Sequence, residues 1–331
     1  LKANKKEEPM TQSKQRALLV GPTFLDIYFI GKPTRLDYSA AIPVVTVDTI
    51  AYALGGAGVV AQGLKHLGLD VTLVTALGGG ESAGQIAALL DEANIPVSAC
   101  NLSEYRPPTI TRVYTDKRLV ACFEMDTHEL QVQDHVSDMF KRATTTKPDV
   151  IVIADYGNAV ITPDVLEVVL GYAKENKVPV IALPADRRLL NYHDCHFLVV
   201  SERQLDGLIT PVQLFKELHP KHLVVTSSRA GATLHTDTEL KNYAALPAIY
   251  RCNCGASEAV LSALANATAV AMTSDEALKY SMAAGAAAVE FFGAVPITVP
   301  SLMRKLAYYG VTKETQSGQD DPQAATPSSS S

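Results

Sequence analysis

Six short, β-branched apolar runs separated by stretches of helical periodicity narrow what this chain can fold into more than any other feature. They are Ala17 to Val20, Val71 to Thr75, Val150 to Ala154, Val180 to Leu183, Phe197 to Val200 and Leu223 to Thr226. Helical patterns fall between them at Ala57 to His66, Ser82 to Ala93, Pro163 to Glu175 and Val212 to Leu218. The alanine-rich stretch from Glu258 to Phe292 reads as two helices split at Thr273-Ser274-Asp275, with Ser274 placed to cap the second. Such alternation predicts an α/β class fold, a doubly wound and mostly parallel sheet between two helix layers.

Two regions break the alternation and carry strand residues without a crossover helix, 27–50 and 109–123. They predict a small β lid over the carboxyl ends of the main strands, where open α/β sheets bind their ligands. The globular unit is expected over 17–312. Segment 1–16 is expected to be extended or disordered, and 313–331, rich in Gln, Ser, Pro and Asp, is expected to be a disordered tail.

The 331 residues are 47% hydrophobic and 19% charged, enough apolar material for one large core. A net charge of -6 argues against an affinity built on phosphate backbones, leaving nucleic acid as a minor contact at most. Five cysteines form no disulfide framework and point to a reducing compartment. No apolar run reaches the roughly 18 residues of a membrane span. Leu1 and the lysine-rich start are consistent with a mature chain in a mitochondrial matrix or plastid stroma after loss of a transit peptide, and equally with a trimmed sequence of a cytoplasmic protein.

Three short motifs invite chemistry and are better read as structure. His193-Asp194-Cys195-His196 lacks a second half-site for zinc and reads as a turn into the Phe197 strand. Gly78-Gly79-Gly80 has no following Lys-Ser/Thr, so it is a strand-to-helix turn and not a P-loop. Cys252-Asn253-Cys254 reads mainly as small buried hydrophobes, with redox activity the less favoured reading.

Gly55-Gly56 opening the first helix, the interleaved lid, Asp26 at the lid entrance, Asp155-Tyr156 after a central strand and the turn Gly255-Ala256-Ser257-Glu258 opening a late helix occur in a telling order. With Ile42-Pro43-Val44-Val45, Pro108-Thr109-Ile110-Thr111 and Val224-Val225-Thr226 before Gly231, the chain resembles the ribokinase-like (PfkB) carbohydrate kinases, in particular the bacterial heptose-7-phosphate kinase branch. The resemblance runs from about Ala17 to Leu302. It implies an anion hole at Gly255, Ala256 and Ser257, made by backbone N–H groups at a helix start. It also implies a proton-abstracting carboxylate at Glu258 and substrate contacts at Asp26, Gly55, Gly56 and Asp155.

The residues depart from the family pattern where the charges stand. Gly-Ala-Gly-Asp becomes Gly255-Ala256-Ser257-Glu258, which places a longer acid at the base position and a serine where backbone needs close approach or positive φ. A slip of register would instead put Ser257 at the base position. Gly-Gly-x-x-Asn ends in Val59, Asn-x-x-Glu reads Ser201-Glu202-Arg203-Gln204, and Asp-Pro-Lys reads Leu183-Pro184-Ala185. Asp-Tyr-x-Lys-Gly reads Asp155-Tyr156-Gly157-Asn158-Ala159, and the first strand ends in Gly21-Pro22.

Retained folding residues beside lost charges predict a catalytically degenerate homologue that binds no cofactor and no metal. Its expected role is a structural or regulatory subunit of a larger assembly, or of a homodimer joined through the lid, with Glu258 a vestigial base. The alternative expectation is a divergent ATP- and Mg-dependent kinase of a sugar or heptose-like sugar phosphate, with Glu258 as base and Asp26 as substrate ligand. A third is a sugar or nucleotide sensor without turnover.

Overall fold

The computed structural model describes residues 14–125 and 132–316, so the lysine-rich start and the polar tail beyond Gln316 lie outside the described residues. In chain order the elements are β1 (Arg16–Val20), β2 (Thr23–Leu36), β3 (Pro43–Gly56), α1 (Ala57–His66), β4 (Asp70–Gly78), α2 (Glu81–Glu92), β5 (Val97–Leu102), β6 (Thr109–Thr115), β7 (Arg118–Met125), α3 (Gln133–Ala143) and β8 (Val150–Ala154). There follow α4 (Pro163–Asn176), β9 (Val180–Leu183), β10 (Phe197–Ser201), α5 (Glu202–Leu205), α6 (Pro211–Leu218), β11 (His222–Thr226), β12 (Ala232–His235), β13 (Leu240–Tyr243), α7 (Ala256–Ala269), α8 (Ser274–Ala288) and α9 (Val299–Gln316). Among these, no helix is long and apolar enough to cross a membrane.

The main sheet has nine strands in the order β13-β12-β11-β10-β9-β8-β1-β4-β5. It is parallel from β5 to β11, and β12 and β13 join as an antiparallel edge. Alternate side chains of one strand feed two cores. Leu19 and Val152 pack with α1, α2, α7 and α8, whereas Leu18, Val20, Ile151 and Ile153 pack with α3, α4 and α6. That two-sided burial is why the six central runs are apolar throughout. The three strands without a clear sequence signature, β5, β12 and β13, lie at the sheet's two ends. Edge strands are covered less completely, so Ser98, Asn101, Lys241 and Asn242 interrupt their pattern.

The second sheet, in the order β3-β2-β6-β7, is the expected lid. Its first two strands are 14 residues each and run the full way from Thr23 to Gly56, longer than the 27–50 segment suggested. Ile42, Val47, Ile50, Tyr52, Leu119 and Phe123 are exposed on it.

The α8 cap is one residue earlier than expected. Thr273, with extended backbone, accepts from the Glu276 amide and donates to the Glu276 carboxylate, so Ser274 is already helical. Cys252 and Cys254 are disulfide-bonded, which corrects the expectation of free cysteines at that pair. Cys100 and Cys195 are buried thiols and Cys122 is exposed. Asp194 pairs with Lys174 at 3.1 Å in the turn that leads into β10.

Candidate active site

All the motif segments converge on the carboxyl ends of the parallel strands. β1 passes through Gly21-Pro22 into the lid, and the Ala57 amide that opens α1 donates to the Pro22 carbonyl at 2.8 Å. Asp155 and Tyr156 follow β8, Ser201 closes β10, and Thr226 closes β11. The start of α7 faces the lid across this edge.

Gly255 caps α7 with φ +78°, and no side chain satisfies the helix's first turn. The Ala256 amide donates to the Asn253 carbonyl at 3.3 Å, which narrows the expected anion hole to the Ser257 amide and the helix dipole. Left-handed backbone is required at Gly255 and not at Ser257, which is already helical. The serine that replaces the family's glycine therefore costs no backbone strain. Ala256 and Ser257 open onto a cleft of about 1640 Å³, whose far walls include Glu202, Arg203, Ser227, Arg229 and Tyr250. Arg229 lies over the Tyr250 ring at 4.7 Å.

Glu258, in the first turn of α7, points to the lid side. Its Oε1 accepts a hydrogen bond from the Tyr156 hydroxyl at 2.9 Å. The Tyr156 ring is set edge-on to Phe24 of β2, with centroids 4.9 Å apart. Burial raises the Glu258 carboxyl above its ordinary value, opposed by its own backbone N–H and by the Tyr156 bond. A base shifted toward neutrality is suited to taking and giving a proton. Burial, then the Glu258 charge, holds Tyr156 well above a normal phenol, so it stays a donor. This contact places Glu258, and not Ser257, beside Tyr156 on the lid side of the turn.

Asp26 is buried on β2, with a side chain 2% exposed. Its Oδ2 receives the Tyr28 hydroxyl at 3.0 Å and lies 2.9 Å from Nη1 of Arg112 on β6. Oδ1 is buried with no hydrogen-bond partner among the described residues. A Cβ at position 55 would come within 2.9 Å of Oδ1, so the glycine keeps this oxygen open. Gly56 ends β3 and caps α1. Asp26 and Arg112 both act electrostatically on Glu258, which places base, carboxylate and guanidinium in one site.

Asp155 stands apart. Oδ1 accepts from Arg188 Nη1 and from the Gly157 amide, each at 2.8 Å, and Oδ2 accepts from the Tyr192 hydroxyl at 2.8 Å. With both oxygens engaged it holds the strand end beneath the site and offers no free oxygen to a ligand. Gln204, where the family carries a carboxylate, closes a capping box on Ser201 and donates to the Pro184 carbonyl at 2.8 Å. Two of the altered motifs are thus bonded to each other. Arg112, Arg188 and Tyr192 had no sequence signal, since Arg112 acts across strands and the other two from a 3₁₀ turn (Asp186–Asn191) and its C-cap.

A nine-stranded, mostly parallel sheet, a four-stranded lid and a glycine-capped helix facing it define a ribokinase-like fold. Phosphofructokinase-2 from Escherichia coli superposes with a TM-score of 0.74 at 16% identity, covering 90% of this chain and 99% of that one. A carbohydrate kinase from Agrobacterium tumefaciens gives 0.68 at 19% identity, covering 88% and 97%. The pfkB family of carbohydrate kinases matches residues 14–301, and the chain belongs to that family.

The D-beta-D-heptose 7-phosphate kinase of Bordetella bronchiseptica is 26% identical over 88% of this chain and 96% of that protein. The bifunctional protein HldE of Aeromonas salmonicida is 26% identical over 92% of this chain and 67% of its own length. These matches correct the expectation of a silent structural subunit: the Bordetella bronchiseptica relative, matched over 88% of this chain and 96% of its own length, is named as a kinase. A carboxylate, Glu258, still stands in the first turn of α7.

Proposed function

We propose that this chain is a divergent ATP-dependent kinase acting on a sugar or sugar phosphate, with a heptose phosphate the leading substrate class. One observation carries the reading: the Glu258 carboxylate is held by Tyr156 at the start of α7, within electrostatic reach of Asp26, while the same turn opens on the large cleft.

The sugar lies under the lid with a hydroxyl on Asp26 Oδ1, and the nucleotide enters the cleft with its phosphates toward the Gly255 turn. Glu258 takes the proton of the acceptor hydroxyl. The hydroxyl oxygen bonds to the γ-phosphorus, the bond from phosphorus to the β-γ bridging oxygen breaks, and ADP leaves. The Ser257 N–H and the α7 dipole receive the charge on the transferring phosphoryl group, the Ala256 amide being engaged by the Asn253 carbonyl at 3.3 Å.

Divalent cations fit this cleft through the nucleotide more than through the protein. Glu202 and Asp206 are the carboxylates on its walls, and among the described residues no group of three or more His, Cys, Asp and Glu converges. Magnesium, which commonly rides on one or two carboxylates plus substrate phosphates, would supply charge neutralisation there. Arg203 and Arg229 on the same walls add positive charge near the phosphates.

The test is ADP release with ATP and a panel of hexose, heptose and heptose 7-phosphate acceptors. A sugar-dependent rate is expected, and Asp26→Asn is expected to raise the sugar KM about 10-fold with the ATP KM unchanged. ADP release that no sugar stimulates would overturn the reading. Gly55→Ala presses a methyl group against Asp26 Oδ1, and is expected to lower kcat/KM for the sugar by about 10- to 100-fold, measured by the same assay. The exposed apolar residues of the lid, Ile42, Val47, Ile50 and Phe123 among them, support contact with a second copy of the chain.

A further inference from the structure

We propose that Arg112 is the positioning residue of the sugar-binding carboxylate: it fixes Asp26 through Oδ2, so that Oδ1 alone is presented to the substrate. This inference rests on the sugar-kinase reading above and adds a residue that no sequence motif marks.

The geometry is asymmetric in a way that a purely structural ion pair would not need. Both neighbours of the Asp26 carboxylate, the Tyr28 hydroxyl and Arg112, sit on Oδ2, while Oδ1 is buried without a partner. Orphaned buried acceptors are rare in folded proteins, and one at a ligand-facing position marks where a donor arrives. The Arg112 side chain is 12% exposed, and its Nη1 stands 2.9 Å from Oδ2 without the alignment of a full hydrogen bond. The guanidinium therefore acts on Asp26 mainly as a fixed charge. Tyr28 is itself anchored, because its hydroxyl oxygen accepts the Ala294 amide at 3.1 Å. Asp26 is thus held from β6 on one side and from the 293–294 segment on the other.

The register explains how the pair meets. β2 and β6 are parallel, Tyr28 lies opposite Arg112 and Asp26 opposite Ile110, so Asp26, Tyr28, Arg112 and Tyr114 share the lid's inner face. Cys122 lies opposite Arg112 on β7 and faces the same way. The groups acting on Asp26 are then Arg112 and Tyr28, with Tyr114, Tyr156 and Glu258 facing it from β6, from the β8 strand end and from α7. Arg112 is the one cation among them. Burial raises the Asp26 carboxyl, and Arg112 is the largest influence lowering it, so removing Arg112 moves Asp26 to a higher value.

Arg112→Met and Arg112→Lys, with Asp26→Asn to assign the signal, test the inference on the full chain labelled with [γ-¹³C]aspartate. The Asp26 carboxyl resonance is followed against pH without any ligand, and KM for D-β-D-heptose 7-phosphate and for ATP is measured across the same pH range. The expected result is an Asp26 titration midpoint at higher pH in Arg112→Met than in wild type. The acid limb of kcat/KM should move the same way, with a sugar-phosphate KM raised about 10-fold and the ATP KM unchanged. Arg112→Lys keeps the charge and should hold the midpoint near the wild-type position. An Asp26 midpoint that stays in place in a folded Arg112→Met protein overturns the inference. A wild-type protein that turns over no sugar counts against the substrate reading instead, and leaves the ligand-free titration to decide the role of Arg112.

Discussion

Glu258→Gln is expected to lower the rate of phosphoryl transfer by about 10² to 10⁴-fold, the usual worth of a positioned general base. Glutamine is nearly isosteric with glutamate, and its amide oxygen can still accept the Tyr156 hydroxyl that now bonds Oε1 at 2.9 Å. The fold and the helix start should therefore survive, and the loss should appear in kcat with little change in either KM. Single-turnover quench measurements on a sugar acceptor read the chemical step directly. The melting temperature should hold or rise, because the substitution removes a carboxylate that burial disfavours in its charged form. A variant within about threefold of wild type in single turnover would remove Glu258 from the mechanism.

Arg188→Met should cost about 3 to 5 kcal/mol of folding stability, the second large effect. Asp155 has a side chain 0% exposed, and Arg188, 13% exposed, supplies its countercharge at 2.8 Å. The Tyr192 hydroxyl and the Gly157 amide would remain, so the carboxylate keeps hydrogen bonds but loses its cation. The pH dependence has a definite sign. Burial already raises Asp155, and Arg188 is the largest influence opposing it. Without Arg188 the folded acid binds its proton more tightly than the unfolded one. Stability then falls as pH rises from the ordinary aspartate range through the raised folded value, and the folded state is least penalised at low pH.

Urea unfolding of the variant should accordingly show a larger deficit at pH 7 than at pH 4. Asp155→Asn added to Arg188→Met should recover part of it, since the uncompensated charge is gone. A deficit below about 1 kcal/mol, equal at both pH values, would mean that the pair contributes little.

The central strands were legible because burial on both faces leaves an unbroken apolar run, and Val150 to Ala154 needs no partner to be recognised. The turn Gly255 to Glu258 was legible for a related reason: a glycine, small residues and an acid at a helix start are all local requirements. Thr273 was harder, because Thr273 and Ser274 are both capping residues and only the backbone geometry tells them apart. Edge strands such as Leu240–Tyr243 have one poorly covered side and little pattern to read.

The altered motifs were legible as departures but not as consequences. Gln204 and Asn158 read as lost charges until the bonds at these positions are seen: Gln204 to the carbonyl of the retained Pro184, and the Asn158 carbonyl to Arg188 at 2.7 Å. Side-chain replacement in a motif reports what is missing at that position, while the compensating group arrives from elsewhere in the chain. Arg188 lies 33 residues beyond Asp155, and Arg112 lies on a lid strand remote in sequence from Asp26.

From its residues alone this chain is an α/β protein with a lid and a carbohydrate-kinase outline, because strand burial, turn glycines and helix caps act over a few neighbouring positions. Which carboxylate keeps an oxygen without a partner among the described residues was decided only by the packed molecule. Asp26 and Asp155 look alike as sequence, yet one keeps Oδ1 free beneath Gly55 and the other has both oxygens bound. The difference lies in partners brought in by the β2–β6 register and by the turn after β9. A hydrogen bond depends on a few tenths of an ångström that only the assembled sheets provide.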